Sequence, residues 1–239
     1  MTMRKSVLIL LLTILAISGT VAVTLAYNPM PASEKIAERI NTIEKYSFTE
    51  IIQSNQYFGE IKEVNGSREA IMKFAYKSSG KRWGWIDLKT MSAEVFEEYY
   101  INDTLVMRTY AKVENGKLSG YVELKNGKKL PLTQVLEENY GIPPEKAVEM
   151  FMHNHPLAAL NSKLKHNILI PVEPSLKDKL LMTLGLKETV YMYKLPSEGN
   201  REWKIIVKGD GTPEKIELIS NDSTAPGVVK AIIEINPAN

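Results

Sequence analysis

The chain has 239 residues and a nearly balanced charge, with 30 basic and 28 acidic residues and a formal net charge of +2. This balance offers no basic surface that would neutralise nucleic-acid phosphates, so we expect no nucleic acid among its partners. There is no cysteine, which excludes disulfides, thiolate metal sites, a cysteine nucleophile and a lipid-carrying cysteine.

The first element is an uncharged, mostly apolar run at positions 7–26, preceded by Arg4 and Lys5. As a helix rising about 1.5 Å per residue, this run would span roughly 30 Å, the thickness of a bilayer's hydrocarbon layer. We therefore interpret residues 1–26 as a cleaved signal peptide or an uncleaved transmembrane anchor, in preference to a buried helix of a soluble domain. Both interpretations place the rest of the chain outside the cytoplasm, secreted or anchored to the cell membrane. We interpret residues 27–32 as a linker and residues 33–239 as a single domain.

Three Asn-X-Ser/Thr sequons begin at Asn65, Asn102 and Asn221. Each lies in a predicted turn, where an exposed asparagine of an exported protein can accept a glycan. The sequons therefore predict glycosylation sites and agree with export.

After the linker, apolar residues such as Ile36 and Ile40 recur at helical spacing over residues 33–45. This spacing predicts a short amphipathic helix, and Ser33 is placed to cap its N-terminus. We expect this helix to pack on the sheet that follows.

Residues 46–125 carry short runs of alternating apolar residues, the period of strands with one buried face. Two strands are predicted first, over residues 46–52 and 57–64, and then a meander over residues 68–125. Predicted turns rich in Gly and Asn break the meander at 78–80, 102–103, 114–116 and 126–127.

A helical region follows at residues 130–185, before the alternating pattern returns. Gly141 and Gly185 are predicted to end helices, Pro144 to begin one and Pro156 to interrupt one. The sequence thus predicts an α+β fold, in which a curved antiparallel sheet, or half-open barrel, is covered by a helical insertion. An N-terminal hydrophobic export segment or anchor precedes this domain.

No nucleophile elbow, zinc-protease helix, phosphate loop or dinucleotide fingerprint occurs in the sequence. The histidines His153, His155 and His166 fall close together, but the first two lie at i and i+2 of a predicted helix end and point to different sides. We therefore expect no enzymatic activity, no cofactor and no metal site, and keep a metal enzyme using these histidines only as an alternative.

The order of parts resembles the lipoprotein-carrier superfamily, which includes LolA/LolB-like proteins and RseB-type periplasmic sensor domains. The segments at 46–48, 85–88, 100–105 and 211–216 carry the likeness. The resemblance implies a half-open antiparallel barrel, covered by helices, whose concave apolar face receives acyl chains.

Strand parity and the predicted lid helix give the candidate residues for lining such a face: Met72, Phe74, Trp85, Val95, Met107 and Phe151. We expect an exported, non-enzymatic protein that binds a lipid or another hydrophobic small molecule there. The N-terminal segment would supply its contact with the membrane. The alternative is an interaction or sensor module with a filled core, whose partner is another envelope protein.

Overall fold

The computed structural model describes residues 30–64, 67–153, 155–166, 169–198 and 200–238. The predicted export segment at residues 1–26 lies outside the described residues, and so does sequon residue Asn65. In the described part of the chain, the helices are α1 (Ser33–Thr42), α2 (Leu132–Tyr140), α3 (Pro144–His153), α4 (Pro156–His166) and α5 (Leu176–Thr183). None of these described helices is both long and apolar enough to cross a bilayer.

The strands form a single antiparallel sheet with 11 strands in the order β6-β5-β4-β3-β2-β1-β11-β10-β9-β8-β7. Their bounds are β1 Lys45–Val64, β2 Ser67–Asp87, β3 Ser92–Ile101, β4 Thr104–Glu114, β5 Lys117–Leu124, β6 Lys129–Pro131, β7 Ile170–Val172, β8 Val190–Glu198, β9 Arg201–Lys208, β10 Pro213–Ser220 and β11 Gly227–Pro237. Apart from the pairing of β1 with β11, every neighbour in the sheet is also a neighbour in sequence.

The sheet is not closed, because the short strands β6 and β7 form its two edges. The first and last long strands meet at its centre, where Tyr46 of β1 pairs with Pro237 of β11 and Asn55 with Gly227. The predicted α+β class is therefore confirmed, as a large open antiparallel sheet accompanied by a few helices.

The two longest strands correct the sequence prediction. Residues 46–52 and 57–64 belong to one strand, β1, and the predicted turn at residues 78–80 lies inside β2. The turn does not form because Gly80 pairs with Ile52 of β1 on one side and with Tyr99 of β3 on the other. Pairing on both sides holds this Ser-Gly sequence extended, and tertiary context overrides its local preference for a turn.

After Asn55, β1 no longer pairs with β11, and before Ser78, β2 does not yet pair with β3. Residues 56–64 and 67–77 therefore form a two-stranded extension, which we call the β1–β2 ribbon. A register shift occurs between Gln56 and Tyr57, the position of a β-bulge. The ribbon thus lies outside the helix-covered part of the sheet.

The other predicted turns of the meander, at 102–103, 114–116 and 126–127, are confirmed, and the turn predicted at Asn65 lies outside the described residues. Asn102, Asp103 and Asn115 all have positive φ, which Asn and Asp adopt more readily than other non-glycine residues. Gly116 and Gly127 also have positive φ in their turns. These short connections set the register of β3, β4 and β5.

The helices of this region begin and end close to the predicted glycine and proline residues. Gly141 adopts the left-handed conformation, with φ of 64°, and caps the end of α2. Pro156 begins α4 after α3 ends at His153, and Gly185 follows α5 with φ of 69°. One detail is wrong: Ser33 is already inside α1, and Ala32 occupies the cap position without a side-chain hydrogen bond.

The core lies between the helices and one face of the sheet, which we call the inner face. Alternate residues of the long strands point into it, and α1 contributes Ile36 and Ile40. Helix α1 packs on α4, while α2 and α3 lie against β5. The helices therefore cover the inner face and define the space beneath them.

Candidate functional site: an apolar cavity with a charged end

A cavity of about 220 Å³ lies between the inner face of β1–β4 and helices α2 and α3. Its apolar lining consists of Phe48, Ile86, Val95, Ala111, Leu132, Leu136, Ala147, Met150, Phe151 and Pro156. Its polar lining consists of Arg82, Glu97, Thr109 and His155.

Strand alternation explains why one wall of this cavity is apolar. Phe48, Ile86, Val95 and Ala111 belong to four adjacent strands, and all of them are buried. Because side chains alternate between the two faces of a strand, the inward positions of neighbouring strands form continuous rows. The opposite wall is amphipathic helix, with Leu132 of α2 buried against this row.

The inner face turns polar further along the same strands. Glu50, Arg82 and Glu97 form one row across β1, β2 and β3, since Glu50 pairs with Arg82 and Arg82 with Glu97 in the strand register. The Arg82 Nη2 atom lies 2.5 Å from Glu50 Oε2, and Glu50 is buried. Three ionisable side chains therefore face the helix-covered side of the sheet.

A second cavity, of about 150 Å³, adjoins the first at this row. It is lined by Glu50, Ile52, Gly80, Arg82 and Glu97, so that Arg82 and Glu97 belong to both cavities. The combined space has an apolar part under α2 and α3 and a charged part along β1–β3.

The Glu97 carboxyl is the unpaired group of this row. Among the described residues it accepts no hydrogen bond and forms no ion pair, although Arg82 lies opposite it in the strand register. Burial raises the pKa of the Glu97 carboxyl above its ordinary value; Arg82 lowers it and Glu50 raises it further. Removal from water disfavours the charged carboxylate, and no close donor offsets that cost.

Arg82 is only partly satisfied by its contacts. Its guanidinium lies over the Phe48 ring, 5.5 Å from the centroid, in addition to its contact with Glu50. Its buried Nε atom donates no hydrogen bond within the described part of the chain. The charged end of the cavity thus contains an unused donor beside an unused carboxylate.

His155 closes the apolar cavity on the helix side and is neutral at pH 7. Its Nδ1 atom accepts a hydrogen bond from the Ala158 backbone N–H, at 3.2 Å, and lies 2.8 Å from the Tyr46 hydroxyl, which donates to it. Burial, with the nearby charges of His153 and Arg82, lowers the pKa of His155 to about 4. Burial also raises the pKa of the Tyr46 hydroxyl. His155 therefore acts here as a structural acceptor between α4 and β1.

The structure brings together two of the six residues predicted to line a binding face. Val95 and Phe151 both line the apolar cavity. Met107 packs partly buried against the core. Met72 and Phe74 lie on the β1–β2 ribbon and are 58% and 49% exposed, because the ribbon extends past the helices that would cover them. Any part that these six residues play in ligand binding stays a prediction.

Trp85 lies on the outer face of the sheet, away from the cavity. Its indole Nε1 donates to Glu94 Oε2 at 3.3 Å, and Lys45 Nζ lies 5.4 Å from the ring centroid. Its neighbour Trp83 stacks on Phe96 of β3 on the same face, with ring centroids 5.8 Å apart. Since the inner-face residue between the two tryptophans is Gly84, strand parity places both indoles outward.

Four members of the site were not predicted from the sequence: Glu50, Arg82, Glu97 and His155. The sequence did contain a signal for the first three: each is a charged residue at an inward position of a strand whose other inward positions are mostly apolar or glycine. That signal needs the register of β1, β2 and β3, which one sequence does not supply. For His155 the sequence predicted a helix-terminal or solvent-facing histidine, with a metal ligand as the alternative, and no place in a cavity.

The described residues contain no group of three or more His, Cys, Asp or Glu side chains placed to hold a metal ion. His153 Nδ1 contacts the Glu149 carbonyl at 2.7 Å, and the His166 side chain lies outside the described part of the structure.

Of the sequons, Asn102 and Asn221 are exposed in turns, and Asn102 Oδ1 accepts from the Lys77 N–H at 3.0 Å. Glycosylation stays a prediction.

Comparisons with known proteins identify no family. No protein-family model matches the chain, and no curated protein is significantly similar to it in sequence. Among solved structures, the chain is similar to the crystal structure of a beta-barrel-like protein of domain of unknown function DUF1849 from Brucella abortus. The match has a TM-score of 0.28 and 10% identity, and covers 82% of this chain and 98% of that one. A match at this level does not establish a shared fold.

Proposed function

We propose that this protein is an exported, non-enzymatic binding protein that holds a lipid chain or another hydrophobic small molecule in the concave side of a half-barrel. The observation that carries the proposal is the apolar cavity beneath α2 and α3. Ligand sites in proteins are typically concave and mostly apolar, with a few polar groups that orient the ligand. The cavity has this composition, with ten apolar and four polar lining residues.

The size of the cavity limits the class of ligand. Small-molecule pockets usually measure about 300–1,000 Å³, and the apolar cavity measures about 220 Å³. A single acyl or alkyl chain, or a small apolar molecule, suits this volume better than a multi-chain lipid. The flexible Met150 side chain of α3 lines the cavity and can adjust to chains of different shape.

Export is proposed from the sequence of residues 1–26. An uncleaved anchor would hold the domain at the outer surface of the membrane, close to a source of lipid chains. A cleaved signal peptide would release it. The two cases predict different sizes for the mature protein, which mass spectrometry of the native protein would distinguish.

The alternative hypothesis, an interaction module with a filled core, predicts side chains packed throughout the space under the helices. The cavity favours the binding hypothesis over this alternative. A carrier function, as implied by the resemblance to the lipoprotein-carrier superfamily, is part of the proposal and requires that the bound molecule can be released.

The proposal is tested by filling the cavity. Ala111 lines it, so Ala111→Leu would place three additional carbon atoms in the space where a ligand would lie. Ala93 is also buried on the inner face but does not line the cavity, which makes Ala93→Leu the matched control. Both variants overpack the core, at a cost of about 1–3 kcal/mol.

The measurement is calorimetric binding of octanol to the delipidated domain. We expect binding to wild type and to folded Ala93→Leu, and a loss of at least about tenfold in affinity for Ala111→Leu. Equal affinities in the two variants, or the failure of wild type to bind any alkyl probe, would overturn the proposed function.

A further inference from the structure

We propose that the ligand of this site carries a positively charged, hydrogen-bond-donating head group, which the Glu97 carboxylate binds at the charged end of the cavity. This inference rests on the proposed function and extends it, by naming the chemistry of the end of the ligand that is not apolar. The apolar cavity would take the chain and the smaller cavity the head group.

The shape of the combined space suits an amphiphile. The smaller cavity, of about 150 Å³, shares Arg82 and Glu97 with the apolar cavity, so one molecule can occupy both. Gly80 forms part of its floor, and a Cβ atom placed there would meet only the Glu98 carbonyl oxygen, at 3.9 Å. The missing side chain at Gly80 therefore leaves room for a compact head group.

The charges at this end favour a cation. Arg82 is paired with Glu50 at 2.5 Å, and the two charges largely compensate each other. Glu97 then remains as a carboxyl group without a hydrogen bond or an ion pair among the described residues. When all three groups are ionised, two carboxylates face one guanidinium, and the local charge is negative.

The environment of Glu97 supports the same conclusion. Burial raises the pKa of its carboxyl and Arg82 lowers it, so the protein's own charges offset only part of the cost of removing the carboxylate from water. A half-buried carboxylate without a hydrogen-bond donor pays a desolvation cost, and an ammonium group that donates to it recovers part of that cost. A neutral hydroxyl would recover less, because it contributes a hydrogen bond without the charge.

The buried Arg82 Nε raises the opposite possibility, an anionic head group. An anion there would gain one donor but would lie against the carboxylates of Glu50 and Glu97, and like charges at close range oppose binding. Arg4 and Lys5 account for the net charge of +2, and the rest of the chain is balanced, so long-range electrostatics around the domain favour neither anions nor cations. A measured preference for cations would therefore reflect the charges of the site itself, not the net charge of the protein.

The test compares three probes that share one chain: octylamine, octanol and octanoate, each titrated calorimetrically into the delipidated domain at pH 7.5. We expect octylamine to bind wild type about tenfold more tightly than octanoate, with octanol between them. In Glu97→Gln the preference for octylamine should fall to about threefold or less. Glu98→Gln makes the same change of charge on the outer face, and should keep the wild-type preference.

Gly80→Val supplies a second variant that fills only the charged end. It should weaken octylamine binding about tenfold and leave octanol within about threefold of wild type, because the apolar cavity is unchanged. The inference is overturned if octanoate or octanol binds wild type as tightly as octylamine, or if Glu97→Gln keeps the preference. If none of the three probes binds wild type, the proposed function itself fails.

Discussion

The two halves of the sheet are built alike but differ in what lies beneath their helices. In the C-terminal half, the inward residues of β8–β10 are apolar and buried, as Tyr193, Ile205 and Leu218 show. In the N-terminal half, the inward rows of β1–β3 change from apolar residues to Glu50, Arg82 and Glu97, and a cavity lies beside them. The same strand alternation produces a buried apolar core in one half and a candidate site in the other.

The difference indicates which residues the fold requires. Placing charged groups in a protein interior costs several kcal/mol per ion before any partner is found, and apolar replacements of similar size are often as stable. The C-terminal half demonstrates that this sheet packs with apolar inward rows. A binding role for the charged row, as proposed above, would account for charges that stability alone does not require.

The largest expected effect on stability comes from truncating a buried side chain in the C-terminal half. Ile205 is 0% exposed and Ile86, which lines the cavity, is 2% exposed, so the two positions form a matched pair. We expect Ile205→Ala to lower the free energy of unfolding by about 4 kcal/mol and Ile86→Ala by about 2–3 kcal/mol, because Ile86 already lacks neighbours on its cavity side. Urea denaturation of both variants measures the difference. Equal losses would mean that the space beside Ile86 is filled in solution.

The next effect concerns the buried ion pair. Arg82→Met leaves the Glu50 carboxylate without its partner, which costs about 3–5 kcal/mol for a fully buried pair. Because the Arg82 side chain is 32% exposed, we expect a loss of about 2 kcal/mol in the free energy of unfolding. Arg108→Met is the control, since Arg108 pairs with Glu98 on the outer face and should cost less than about 1 kcal/mol.

Adding Glu50→Gln to Arg82→Met should restore part of the lost stability, because it removes the unpaired charge. If the double variant were no more stable than Arg82→Met alone, the loss would come from packing of the guanidinium on Phe48.

A smaller effect should appear on acidification. The unfolded chain protonates His155 near pH 6.5, whereas the folded chain does so only near pH 4. The folded state thus binds fewer protons in this interval, and the stability that this histidine contributes above pH 6.5 is lost as the pH falls towards 4. We expect a loss of roughly 1–2 kcal/mol, reduced by partial exposure of the ring.

His155→Asn provides the comparison, because it keeps an acceptor near the position of Nδ1 but does not titrate. Between pH 6.5 and 4, its free energy of unfolding should fall less steeply than that of wild type. Identical slopes in urea denaturation across this range would contradict the assignment of a neutral, buried His155.

The smallest effect is expected on the ribbon. Met72 is 58% exposed and lies outside both halves of the core, so Met72→Ala should change the free energy of unfolding by no more than about 0.5 kcal/mol. It should also leave octanol affinity unchanged. A tenfold loss of octanol affinity would instead return Met72 to the binding site.

The helix ends and several turns were predictable from the local sequence. Gly141 and Gly185 end helices, Pro156 separates two of them, and Asn102 and Asn115 turn between strands, because each residue type suits the backbone conformation found there. These features depend on a few neighbouring residues, and a single sequence contains that information.

The candidate site was predictable only in part. Val95 and Phe151 were found because apolar periodicity identifies inward positions locally. The charged row was not found, since it depends on β1, β2 and β3 pairing in one register across residues 50, 82 and 97. Met72 and Phe74 lie outside the cavity for a related reason: their alternation is that of a buried strand, but the sheet partners and helices end before the ribbon does.

Binding of an alkyl chain in the cavity is tested most directly by locating the bound chain. With methyl-¹³C methionine, nuclear magnetic resonance reports on both halves and the ribbon at once, and octylamine, octanol and octanoate can be titrated in turn. We expect the Met150 methyl, which lines the cavity, to shift with the probe that binds most tightly, while Met72 on the ribbon and Met182 of α5 stay unchanged. Saturating shifts at Met72 or Met182 with none at Met150 would show that the probe binds elsewhere.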